Sequence, residues 1–216
     1  RCFLVRESVD PVKSRVMYQN TFGNSGIDDL KGSHIFALST HQTGVQSIGT
    51  WQGAMTTMLN TASTNYIRLF NSSIYKITDE EIAEWLKLYN AKYIVSSDPT
   101  LKNKLSNTKL FVNNVNFGNF SIFSLEGYNP TWISINGVDT KAIVIDLKGE
   151  SKVFGIQTDN KSSDILIKVA YHPYWKAFIN GEDVEVIRDS RGFIRLVTDK
   201  IGNLTLALYY KSPLPI

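Results

Sequence analysis

The spacing of apolar positions changes character once along the chain. From Arg1 to about Glu126, helix-like and strand-like patterns are mixed. From Asn129 onward the chain is a series of short alternating runs, broken at regular intervals by turn residues. The pattern predicts an α+β protein: a mixed α/β unit over 1–127, followed by an antiparallel β-sandwich over 128–216.

In the first part, Arg15-Val16-Met17-Tyr18 reads as a strand, and the Gly- and Asp-containing stretch from Asn20 to Gly32 reads as a loop. Met55, Leu59, Ala62 and Tyr66 recur at helical spacing and predict a helix from about Gly53 to Leu69, opened by the turn Gly49-Thr50-Trp51-Gln52-Gly53. Thr78 with Glu81 three residues later forms a capping box, and Ile82, Trp85, Leu86 and Tyr89 make the apolar stripe of the helix it opens. Asn90 suits a left-handed cap, after which Ala91 to Ser96 reads as a buried strand ending at Asp98-Pro99. Leu110 to Val112 and Phe120 to Leu125 read as a hairpin whose connection is Asn113 to Asn119.

The second part offers strands at Thr131 to Ile135, Ala142 to Leu147, Val153 to Gln157, Ile165 to Tyr171, Trp175 to Ile179, Val184 to Ile187, Phe193 to Val197 and Leu204 to Tyr210. Turns are expected at Asn136-Gly137 and at Asn180-Gly181-Glu182-Asp183. Seven or eight such strands need a second sheet to bury their apolar faces, which is the reason for expecting a sandwich. Trp175 shares parity with Ala177 and Ile179, so it is placed in the core.

Composition narrows the function classes. The 216 residues carry 23 basic and 20 acidic side chains, a net +3 with no Lys/Arg block, so no nucleic-acid surface is expected. A single cysteine, Cys2, excludes an intramolecular disulfide and a cysteine-based zinc site. The first residue is not Met and no leader precedes it, so an excised or processed piece is expected, and no run approaches the roughly 20 apolar residues of a bilayer span. Sequons at Asn71, Asn119, Asn160 and Asn203 suit an extracytoplasmic chain, although a chain rich in Asn, Ser and Thr also produces such triplets by chance.

Catalytic chemistry finds little footing. His34 and His41 lack the spacing of a metal-binding helical pair, and His172 stands alone. Neither a nucleophile elbow nor a glycine-rich phosphate loop occurs, so no catalytic residue, no metal and no cofactor is assigned. The acids Asp79, Glu80, Glu81 and Glu84 suit a helix N-terminus and its wet face, while Asp28-Asp29 and Glu182-Asp183 are read as turn residues. Aromatic side chains that could grip a sugar are Trp51, Tyr128, Trp132 and the cluster Tyr171-His172-Pro173-Tyr174-Trp175. Trp51, in its Gly-flanked turn, either faces a ligand or packs on the helix that follows.

The segment from Tyr171 through Trp175 to Asn180-Gly181, followed by Val184 and Val186, resembles the C-terminal signature of YfhO-type multi-pass membrane proteins and their archaeal pterin-synthase-related relatives, although Tyr174 stands where glycine is usual. Ser33-His34-Ile35-Phe36-Ala37-Leu38 with Ile48-Gly49-Thr50-Trp51-Gln52-Gly53 looks like the stretch those proteins carry after their last membrane spans. Leu86 to Val95 is similar to a helix-to-strand element shared with archaeal oligosaccharyltransferase subunits.

The resemblance implies an extracytoplasmic accessory domain of a membrane glycosyltransferase of the polyprenyl-phosphate-sugar type, anchored through transmembrane segments outside this chain. Its implied partners are that membrane region and a glycan, lipid-linked sugar or protein acceptor. Catalytic acids of such enzymes lie between membrane helices, so none carries over, and Trp51, Gln52 and His34 are the positions that would face the acceptor or the membrane domain. A second expectation is a non-catalytic structural, adhesive or carbohydrate-binding module of the cell surface. A free-standing soluble enzyme is the least favoured reading.

Overall fold

A computed structural model describes residues 14–18, 47–48, 64–65, 68–70, 72–147 and 150–211. The chain divides after Pro130 into two compact units. Together they make an α+β protein, a mixed α/β unit followed by an antiparallel β-sandwich.

The mixed unit is built around a five-stranded sheet in the order β2-β1-β6-β8-β7. Strands β1 (Arg15–Tyr18), β2 (Ser47–Ile48) and β6 (Ala91–Ser96) run parallel, while β7 (Phe111–Phe117) and β8 (Phe120–Leu125) complete it as an antiparallel hairpin. Helix α1 (Asp79–Leu88) starts where expected: Thr78 Oγ1 accepts the Glu81 N–H at 3.1 Å, and Glu81 Oε2 accepts the Thr78 N–H at 2.8 Å. Its stripe Ile82, Ala83 and Leu86 is buried, and the rings of Trp85 and Tyr89 stack with Phe70, each with centroids 5.7 Å away.

Asn90 closes α1 at φ +53° and is fully buried. Its carbonyl accepts the Arg15 N–H at 2.8 Å, so the helix cap also anchors β1. The Arg15 guanidinium donates to the Tyr89 carbonyl at 3.0 Å. Burial pulls this group down to about 10, which still leaves it charged at neutral pH.

Three sequence expectations in this unit are corrected. Thr64–Asn65 and Arg68–Leu69 are strands β3 and β4, which with β5 (Ser72–Ser73) form a small antiparallel sheet rather than the end of a helix. Threonine and asparagine are poor helix formers, and Phe70 at φ +52° is incompatible with a continuing helix. The rest of the Gly53–Leu69 span, like the Asn20–Gly32 loop, lies outside the described residues.

Asp98-Pro99 does not simply end a strand. Asp98 Oδ1 accepts the Leu101 N–H at 2.9 Å and opens helix α2 (Pro99–Ser106), which buries Leu101 and Leu105. The segment from Asn113 is also strand rather than connection: β7 runs on to Phe117 through a bulge near Asn113 and Val115, and the turn is Gly118-Asn119.

In the second unit, one sheet is ordered β10-β9-β13-β17-β16 and the other β11-β12-β18-β14-β15. Their strands are β9 (Ile133–Ile135), β10 (Val138–Thr140), β11 (Ile143–Asp146), β12 (Ser151–Thr158), β13 (Ser163–Ala170), β14 (Trp175–Ile179), β15 (Glu182–Val184), β16 (Ile187–Arg188), β17 (Phe193–Thr198) and β18 (Gly202–Tyr210). Inward residues of both sheets, among them Ile165, Ile167 and Leu196 from one and Phe154, Leu206 and Ile179 from the other, form a single core.

Ten strands replace the expected seven or eight. The stretch expected as one strand from Val184 to Ile187 is split between the two sheets, β15 ending at Val184 and β16 starting at Ile187. Glu182 and Asp183 lie in β15 and pair with Ile179 and Phe178, so they are strand residues and the turn is Asn180-Gly181 alone.

Both Asn-Gly turns have positive φ at each residue: 51° and 80° at Asn136-Gly137, and 51° and 84° at Asn180-Gly181. That is the requirement of the two-residue hairpin turn whose twist matches the strands. Each turn asparagine also grips a third strand. Asn136 exchanges bonds with the backbone of Asp164 at 2.8 and 2.9 Å, and Asn180 does the same with Thr205 at 2.8 Å for both.

Candidate functional site

His34, Trp51 and Gln52, like His41 and the pair Asp28-Asp29, lie outside the described residues. Of the other aromatic candidates, two are corrected. Tyr128 is 8% exposed, its hydroxyl donating to the Lys87 carbonyl at 3.2 Å, and Trp132 is 2% exposed in the sandwich core. Burial leaves neither with a face to offer a sugar. The acids of α1 are occupied as cap and surface residues: Glu81 caps, and Glu84 pairs with Lys87 at 2.9 Å.

The aromatic run before β14 does form a cluster. Pro173 sits at the second position of a turn in which the Trp175 N–H donates to the His172 carbonyl at 3.0 Å, a place its fixed φ favours. The turn sends Trp175 inward and Tyr174 outward, so Trp175 is 8% and Tyr174 39% exposed. On the neighbouring strand, Tyr210 stands directly opposite Trp175. Its ring lies 5.3 Å from Trp175, 5.1 Å from His172 and 6.1 Å from Tyr174, while His172 and Tyr174 are 4.8 Å apart. These tilted and edge-on arrangements suit the quadrupoles of the rings.

Polar atoms within the cluster are directed. His172 Nδ1 accepts the Tyr174 N–H at 3.3 Å, which turns Nε2 toward the Tyr210 hydroxyl at 3.5 Å. Beneath the rings, the ammonium of Lys152, a buried residue on the inner side of β12, lies 5.3 Å from the centre of the Trp175 ring. The end of the sandwich is thus a plate of aromatic faces and edges, with hydroxyl and imidazole groups at its rim and a cation below.

The sequence identified His172, Tyr174 and Trp175 but missed Tyr210 and Lys152. These two arrive from β18 and β12, and only the sheet register brings them in.

A second polar cluster lies in the other sheet. Lys168, with a side chain 3% exposed, pairs with Asp139 at 2.9 Å, and Ser134 donates its hydroxyl to the other Asp139 oxygen at 2.5 Å. Both carboxylate oxygens are engaged, which makes this a structural network rather than an activated nucleophile. Among the described residues, no three His, Cys, Asp or Glu side chains are grouped to hold a metal, and no helix is long and apolar enough to cross a membrane. Comparison with protein-family models, with curated proteins and with solved structures finds no match.

Proposed function

We propose that the chain is an extracytoplasmic accessory domain of a membrane glycosyltransferase-like protein, with the aromatic end of its sandwich positioning a glycan acceptor. The carrying observation is the grouping of His172, Tyr174 and Tyr210 within 6.1 Å of one another beside an exposed Tyr174. Sugar rings present C–H faces that pack on aromatic faces and hydroxyls that bond to polar rims, and this plate supplies both. The resemblance of the Tyr171–Gly181 segment to YfhO-type proteins supplies the membrane setting. In this reading the transfer chemistry belongs to a membrane region of the same protein, and this chain holds the lipid-linked sugar or the acceptor for it.

Titrating the chain with oligosaccharides while recording aromatic and indole NMR shifts tests the binding role. Shifts at Tyr174, His172 and Tyr210 that vanish in Tyr174→Ala are the expected result; shifts confined elsewhere overturn it. Labelling intact source cells with a membrane-impermeant amine reagent tests the location, and a chain shielded from the reagent overturns that part.

A non-catalytic cell-surface interaction module is the second reading, favoured by the outer face of the β11 sheet. Ile143 and Ile145 are 70% and 59% exposed there, and Tyr209 on the same face is 47% exposed. Gly155, opposite Ile143, leaves the two isoleucines lying across a strand without a side chain at that point. Loss of a partner on Ile143→Ser, with glycan shifts absent, would favour this module over the first reading.

A further inference from the structure

Three of the four sequons fall within the described residues, and their surroundings differ sharply. Asn119 lies at the exposed tip of the β7–β8 hairpin, but the Ser121 that completes its sequon is fully buried and donates its hydroxyl to Asn116 at 2.6 Å. Asn203 lies in β18, the middle strand of its sheet, paired with Gln157, and its Thr205 has its backbone held on both sides by Asn180. Presenting either triplet to an enzyme in extended form requires a strand to be peeled from its sheet.

Asn160 differs from both. Asn160, Lys161 and Ser162 are all exposed and lie between β12 and β13, outside any ladder. The Asn160 amide and the Ser162 hydroxyl make no hydrogen bond to the described residues. The triplet is tethered only at its ends, where the Ser163 hydroxyl donates to the Asn160 carbonyl at 3.3 Å and the Thr158 hydroxyl to the Lys200 carbonyl at 2.7 Å.

We infer that Asn160 is an acceptor for N-linked glycan, an inference that rests on the extracytoplasmic location proposed above. In the transfer, Asn160 Nδ2 bonds to the anomeric carbon of a lipid-phosphate-linked oligosaccharide. The anomeric C–O bond to the phosphate breaks, the amide gives up one proton, and the lipid phosphate leaves as its anion. The site is compatible with the aromatic plate. β12 begins at Ser151, opposite Tyr209, and ends at Thr158, opposite Gly202, so its two ends serve opposite ends of the sandwich. A glycan on Asn160 therefore stands away from Tyr174 and Tyr210.

The experiment incubates the folded, unmodified 216-residue chain with a single-subunit oligosaccharyltransferase that accepts Asn-x-Ser/Thr and with a lipid-linked oligosaccharide, alongside the urea-unfolded chain. Peptide mass mapping is expected to place glycan on Asn160 in the folded chain, with Asn119 and Asn203 modified only after unfolding. Asn160→Gln and Ser162→Ala should each abolish the folded-state product without moving the melting temperature. A folded chain left unmodified at Asn160 while the unfolded chain is modified there overturns the site, and occupancy at Asn119 or Asn203 matching Asn160 in the folded chain overturns the inference that its exposed, unpaired loop sets Asn160 apart. Either result leaves the location standing, because the impermeant label on intact cells reads the location independently.

Discussion

Trp175 shows how one side chain can carry both core and site. Its ring fills the end of the sandwich core, supports the edge-on contact with Tyr210 and lies over Lys152. Trp175→Ala is expected to cost about 3–5 kcal/mol, read as a lower midpoint in urea unfolding, because the cavity it leaves cannot collapse between two sheets. The Lys168–Asp139 pair is asymmetric in the opposite sense. Removing the carboxylate in Asp139→Asn leaves an ammonium in a buried place and should cost about 1–3 kcal/mol, whereas Lys168→Met keeps the volume and should cost less. Equal losses in the two variants would show that the charge pair is not what holds Lys168 inside.

At the level of elements, the decisive devices are short and local. Thr78→Ala removes one half of the capping box of α1 and should lower stability by about 1 kcal/mol. Asn180 does two jobs, and two substitutions separate them. Asn180→Gly keeps the positive φ and loses only the side-chain bond to Thr205, a cost of about 1 kcal/mol, while Asn180→Ala adds left-handed strain of about 1 kcal/mol more. Thermal unfolding of the pair checks the order, and indistinguishable variants would dismiss the strain term. Capping box, left-handed Asn90 and both Asn-Gly turns were readable from the sequence because each depends on residues within a few positions of one another. Helix α2 had the same kind of signal, Asp98 before Pro99 with Leu101 and Leu105 four apart, but a Pro read as the end of a strand concealed its other use as the first residue of a helix.

The whole molecule adds what no element contains. The chain alternates between the two sheets: the β9–β10 hairpin in one, β11–β12 in the other, single strand β13 back in the first, β14–β15 in the second, β16–β17 in the first and β18 in the second, with β13 and β18 at the two centres. β18 is the last strand of the chain and the central one of its sheet, so that sheet stays in two halves until the chain's end is placed. The second unit owns a core drawn from both its sheets. Residues 131–216 expressed alone should therefore give a β-type circular dichroism spectrum and one cooperative unfolding transition. A chain that stays unfolded under native conditions would show that this core is insufficient by itself.

The sequence by itself determined the α+β class, the change to a sandwich in the second half, the caps of α1, the tight turn at Asn136-Gly137, the place though not the length of the turn at Asn180-Gly181, and the inward parity of Trp175. All of these rest on periodicity or on bonds closed within a single turn of chain. Only the tertiary structure decided that Tyr210 and Lys152 join His172, Tyr174 and Trp175, that Trp132 and Tyr128 are buried, and that Lys168 meets Asp139. The meetings within the sandwich depend on strand order and register, which are set by how its two sheets bury their apolar faces against each other, and a one-residue slip of β12, β13 or β18 would turn Lys152, Lys168 or Tyr210 to the other face of its sheet.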